Sequence, residues 1–255
     1  MTTAAGDLLG TTGGSPVHRV LEAEVARVRA AQPDARPRVV DVGGGSGAWA
    51  VPLAVAGCTV TVVDTSPNAL AALQRRAREA GVGQLITPVQ GDVDALAEFV
   101  PAGGADLVLG HGLLEVVDDA AGAVAALTAA AAPGAGVSVL VAGRNAAVLS
   151  RVLAGRLAEA RAVLADPDGR LGPADVLRRR MDGPTLCGLL EATGELRVEV
   201  LQGDGVLDGW LPGSVRDGGP ATTRAVTELE GMAAAVPALR EVATRLHVLA
   251  RRTGA

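Results

Sequence analysis

The stretch RVVDVGGGSGAWAVPLA, Arg38 to Ala54, constrains this chain more than any other. Val39, Val40 and Val42 form a short apolar run, glycines follow at once, and a helical pattern begins within a few residues. A strand that turns through glycines into a helix brings backbone amides and a helix N-terminus against a nucleotide-like ligand. The spacing of Gly43, Gly45 and Ala48 also satisfies the G-x-G-x-x-G/A pattern of dinucleotide sites, so a nicotinamide cofactor is one reading of the turn.

Short apolar runs recur beyond it. RVVDV, TVTVVD, LITPVQ, ADLVLG and GVSVLVA are separated by helical patterns near Ala48 to Ala56, Pro67 to Ala80, Val93 to Phe99 and Ala120 to Ala131. Strands this continuously apolar are buried on both faces, which predicts an α/β fold with a mostly parallel sheet and helices on both faces. An amphipathic helix from Pro16 precedes the first strand, and a long helix from about Asn145 to Leu164 follows the fifth. LRVEVLQGDG and TRLHVLARR read as a sixth and a seventh strand around a long excursion, which suits an antiparallel edge pair. At 255 residues one domain is expected: an N-terminal lid or helix over 1–36, a cofactor-binding core over 37–142, and acceptor-side helices with the closing strands over 143–255.

Composition removes several classes. No apolar run approaches the roughly 20 residues that span a bilayer. The N-terminus does not read as a secretory signal, so the expectation is a cytoplasmic protein without membrane partners. Cys58 and Cys187 are isolated, which argues against a disulfide framework or zinc site, and no other cluster suggests a metal. A net charge of −5 with only Trp49, Phe99 and Trp210 as aromatics argues against general nucleic-acid binding through a basic, stacking face.

Three acids at successive strand ends bear on the ligand. Asp41 lies two residues before the first glycine, where a carboxylate can accept from an ammonium group; S-adenosylmethionine (SAM) carries one and an adenine dinucleotide does not. Asp64 closes the second strand and can hold both ribose hydroxyls of either cofactor. Asp92, just past the third, can accept from the exocyclic amine of adenine while the Val93 amide meets the neighbouring ring nitrogen. Helix capping is the alternative role for Asp64 and Asp92. His111 ends the fourth run, where histidines also serve as packed, hydrogen-bonded residues.

With VVDVGGGSG, TVVDTSP and GDVDAL, the segment ADLVLGHGLLEVVDD resembles the ordered motif series of class I SAM-dependent methyltransferases over Arg38 to Ala142. The resemblance implies a Rossmann-like, seven-stranded sheet whose last strand is antiparallel. It places Gly43, Gly45, Asp64, Thr65, Asp92, Val93 and His111 around SAM, with S-adenosylhomocysteine as product. HGLLEVVDD, VSVLVAGRNAAVLSRVLAGRLAEA, TRLHVLARR and the N-terminal GTTGG further resemble the tRNA 5-carboxymethoxyuridine methyltransferases, which esterify a carboxylate on a wobble uridine. Three positions depart from that family's pattern: Gly205 stands for an arginine, Gly143 for an asparagine, and Val17 for an N-terminal arginine, with Arg19 displaced by two. Arg144 and Arg178 are candidates for replacement anion contacts, with Arg151 and Arg179 beside them. The acceptor is therefore expected to be tRNA or a small molecule, and a SAM-binding protein without transferase activity is the alternative of another class. Monomer and homodimer are both open.

Overall fold

The computed structural model describes residues 15–207, 209–216 and 218–254. The GTTGG motif and the rest of 1–14 lie outside them. Helix α1 (Pro16–Ala31) starts at Ser15, whose Oγ accepts from the Val17 amide at 3.2 Å, with Pro16 at the position where a missing N–H costs nothing. Val17, Leu21, Val25 and Val28 recur every three or four residues and are buried. Each such side chain contributes about 1.5–3 kcal/mol, so packing holds this helix more than its cap does.

Five parallel strands follow: β1 (Arg38–Val42), β2 (Thr59–Asp64), β3 (Ile86–Gln90), β4 (Ala105–His111) and β5 (Ala131–Ala142). Between them run α2 (Ala50–Val55), α3 (Pro67–Glu79), a 3-10 turn (Val93–Ala95) leading into α4 (Leu96–Phe99), and α5 (Ala120–Ala130). The remainder comprises α6 (Arg144–Leu153), α7 (Leu157–Ala165), α8 (Gly183–Glu191), β6 (Leu196–Asp204), α9 (Gly213–Arg216), α10 (Gly219–Ala233), α11 (Pro237–Arg240) and β7 (Arg245–Arg252). The seven strands lie in the order β3-β2-β1-β4-β5-β7-β6, with β7 antiparallel to both its neighbours. Pro88, which cannot donate to a ladder, sits in β3 at the sheet edge.

The strand alternation divides the core in two. Val40, Val42, Val108, Val137 and Val139 pack under α4, α5 and α8, while Val39, Val62, Leu107, Leu109 and Leu140 pack under α1, α2 and α3. The chain passes from β1 to β2 on one side and later places β4 on the other. That reversal opens a crevice at the carboxyl ends of β1 and β4, where ligands bind in such sheets.

One expected element differs. The long helix over 145–164 is two helices, because Gly155 adopts φ +71° after α6 and ends it in the left-handed conformation glycine favours. The α7 start at Leu157 then turns the chain back on α6.

Candidate active site

A cavity of about 430 Å³ opens at the carboxyl ends of the first four strands. Gly43, Asp64, Thr65, Asp92, Val93 and Gly112 line it, so residues from four separate turns converge there. Asp64 is fixed by two backbone amides, Gly45 N–H on Oδ2 and Ser66 N–H on Oδ1, each at 2.8 Å. It does not cap α3: Ser66 does, its Oγ accepting from the Ala69 amide at 3.3 Å. Asp92 stands at the N-terminus of the 3-10 turn and its side chain makes no capping bond. Both carboxylates are thus oriented at the cavity, and the capping alternative describes neither. Gly45 serves through its amide, and Gly43, two residues before it, lines the wall.

Asp41 is not in the wall. It lies fully buried under the glycine turn, so close that a side chain on Gly44 would meet its Oδ2 at 2.5 Å. Neither carboxyl oxygen has a partner. Burial, with repulsion from Asp64 second, pushes its pKa up to about 7. An acid whose native pKa is raised binds its proton more tightly in the folded chain, so stability falls as pH climbs from about 4 toward 7. Asp41→Asn is expected to flatten that part of the profile, read as urea midpoints across the range; an unchanged slope would place its origin elsewhere.

His111 is also buried, and the cavity wall begins at the next residue, Gly112. Its Nε2 meets Ser138 Oγ at 2.8 Å, and Trp49 packs edge-on against its ring at 4.7 Å between centroids. Burial, then the charges of His247, Arg245 and His18, lowers its pKa well below the ordinary value.

The arginines are spoken for. Arg144 donates to the carbonyls of Leu164, Asp166 and Pro167 at 2.7–3.2 Å, closing the end of α7. Arg178 pairs through Nε with Asp118 at 3.1 Å on the exposed rim of the cavity. Arg179 donates to the carbonyls of Leu114, Val117 and Asp118. Arg151 pairs with Glu159 at 3.4 Å. Arg180 is buried against Asp175 at 2.6 Å. Two of the three positions that depart from the family pattern are closed: Gly205 has φ +70° and a side chain there would strike Thr244 Oγ1, and one on Gly143 would strike the Ala243 carbonyl. The sequence makes no candidates of Ser138 and Gln202 and reads His247 as a structural strand residue; all three join His111 only through strand register.

No group of His, Cys, Asp and Glu able to hold a metal occurs among the described residues, and no described helix is long and apolar enough to cross a membrane.

Residues 39–134 match the family model described as a methyltransferase domain. No curated protein sequence matches the chain. Among solved structures it is similar to a SAM-dependent methyltransferase from Mesorhizobium loti, with 21% identity over 90% of this chain and 98% of that one and a TM-score of 0.56. Magnesium protoporphyrin IX methyltransferase from Synechocystis, solved with S-adenosylhomocysteine, matches with 14% identity, 93% and 84% coverage and a TM-score of 0.57. The cyclase SpnF matches with 16% identity, 93% and 82% coverage and a TM-score of 0.59. Residues 39–134 thus match a methyltransferase domain, and the fold of the described residues is similar to that of SAM-dependent methyltransferases.

Proposed function

We propose that this protein transfers the methyl group of SAM to an uncharged small molecule whose nucleophilic lone pair needs no enzymic base. The cavity fits the cofactor: Asp64 would hold the ribose hydroxyls, Asp92 and the Val93 amide the adenine, and the turn at Gly43 to Gly47 the chain between. SAM supplies a methyl group on a sulfonium, open to in-line displacement. The protein's part is then to align the two molecules and keep water out.

The acceptor follows from the charge at the cavity mouth, which is the observation that carries this reading. Asp64, Asp92, Asp94, Asp118 and Asp119 line the cavity, and Arg178, beside it, is tied to Asp118. A polyanion or a carboxylate meets repulsion there, and no arginine is among the described residues lining the cavity. The tRNA carboxylate reading depended on arginines at the position of Gly205 or in their place, and the former is closed while Arg144 and Arg179 hold backbone. His111 is buried, neutral and engaged at Nε2, which leaves it unsuited to take a proton from an acceptor.

The test is calorimetric titration with SAM and separately with NADH, followed by transfer of labelled methyl to bulk tRNA and to a low-molecular-weight extract. SAM alone should bind, and label should enter the small-molecule fraction. Label in RNA would overturn the acceptor assignment. Binding with no label in either fraction would favour a non-methylating role for the bound SAM.

A further inference from the structure

A buried polar chain crosses the sheet on the face covered by α1. His111 on β4, Ser138 on β5, His247 on β7 and Gln202 on β6 follow one another across four adjacent strands. The links are His111 Nε2 to Ser138 Oγ at 2.8 Å, Ser138 Oγ to His247 Nε2 at 2.8 Å, and His247 Nδ1 to Gln202 Nε2 at 2.9 Å. All four residues are at most 9% exposed.

The polarity of the chain follows from its far end. The amide nitrogen of Gln202 can only donate, so His247 Nδ1 accepts and the His247 proton stands on Nε2. That proton goes to Ser138 Oγ, and the serine hydroxyl turns its own to His111 Nε2. His111, held neutral by burial, therefore carries its proton on Nδ1. Every link is satisfied except this last. His111 Nδ1 is buried without a partner, and an orphaned buried N–H is destabilising unless a ligand completes it.

Its surroundings indicate the ligand. His111 directly precedes the cavity-wall residues Gly112 and Leu113, and its ring meets Trp49, two residues beyond the glycine turn. His18 of α1 also packs against that indole, with ring centroids 4.5 Å apart. In the strand order His111 stands on the β4 side of β1, whereas Asp64 and Asp92 follow strands on the opposite side. With the nucleoside at those two acids, the amino-acid end of the cofactor faces His111. Arg245, itself paired with Asp204, lies within electrostatic reach of His111.

We infer that His111 Nδ1–H is a donor built for the carboxylate at the amino-acid end of SAM, with Ser138, His247 and Gln202 as positioning residues that set its tautomer. This rests on the cofactor reading above.

The experiment compares S-adenosylhomocysteine with methylthioadenosine, which keeps the nucleoside and thioether and lacks the amino-acid end. By calorimetry His111→Ala should lose about 10- to 100-fold in affinity for the first and less than about threefold for the second. His111→Asn, which places an N–H near the Nδ1 position, should keep most of the preference. His111→Gln, which keeps only the link to Ser138, should lose it. Nitrogen-15 NMR of the intact protein should show His111 protonated at Nδ1, with that signal moving when S-adenosylhomocysteine is added, and Ser138→Ala should mix the tautomers. Equal losses for both ligands would overturn the inference, and so would a lone pair on Nδ1, the result if the Gln202 amide were turned end for end. If the intact protein binds neither ligand, the cofactor reading fails and this one with it.

Discussion

Asp64→Ala is expected to weaken S-adenosylhomocysteine binding by at least about 100-fold, to the edge of calorimetric detection. One carboxylate accepting from two ribose hydroxyls makes two charge-assisted hydrogen bonds, each contributing about 1.5–3 kcal/mol. The same oxygens already receive the Gly45 and Ser66 amides, so the side chain proposed to take the ribose also sets the glycine turn. Removing it loses both the contact and the preorganised loop. Asp64→Asn, which keeps one acceptor oxygen, should fall between the two. Folding should survive, since Asp64 is only half-buried and Ser66 still caps α3. An affinity within threefold of the unmodified protein would remove Asp64 from the site.

The largest expected effect on stability belongs to Arg180. It and Asp175 are buried together, with side chains 7% and 3% exposed, joined at 2.6 and 3.2 Å through both nitrogens. Asp175 also accepts from the Leu171 and Leu177 amides, and Arg180 donates to the Gly169 carbonyl at 2.8 Å, so the pair organises the whole connection from α7 to α8. Arg180→Ala leaves a buried carboxylate uncompensated and should cost about 3–5 kcal/mol in denaturant unfolding. Replacing both partners by apolar residues, Asp175→Leu with Arg180→Met, should recover much of that loss. Hydrogen bonding from Arg180 holds the Asp175 carboxyl far below its usual range. A depressed acid stabilises the fold above its unfolded pKa of about 4 and loses that contribution as pH falls through the folded value. The gap between Arg180→Ala and the unmodified protein should therefore be full at neutral pH and narrow in strong acid. A gap of under 1 kcal/mol at neutral pH would show the pair to be dispensable.

Three adjacent arginines show where reading the sequence stops. Arg178, Arg179 and Arg180 are identical in type, yet one lies on an exposed rim, one holds the carbonyls after β4, and one is buried in an ion pair. Nothing local distinguishes them, because each fate depends on what another segment brings near. The strands were legible because β1, β2 and β4 are continuous apolar runs, and burial on both faces leaves no other pattern. Asp64, Asp92 and Val93 were legible for a related reason: a parallel sheet delivers successive strand ends to one edge. The break at Gly155 was not, since apolar spacing continues across it and only the backbone angle reveals the turn. The chain from His111 to Gln202 joins positions 27, 109 and 45 residues apart, and no spacing rule reaches that far.

The position of β7 between β5 and β6 bears on how the protein is made. As the chain leaves the ribosome, β1 to β5 emerge in an order that lets each pair with a strand already present, and the matched domain at 39–134 can assemble early. β6 cannot join, because its one neighbour in the sheet is β7, which is synthesised after it. Until Arg245 to Arg252 insert, β5 and β6 each expose an unpaired edge, the period in which a chaperone or an aggregating neighbour would find the chain. His247 arrives with that strand, so a nascent chain that can already form its glycine turn gains the finished polar wire only at the end.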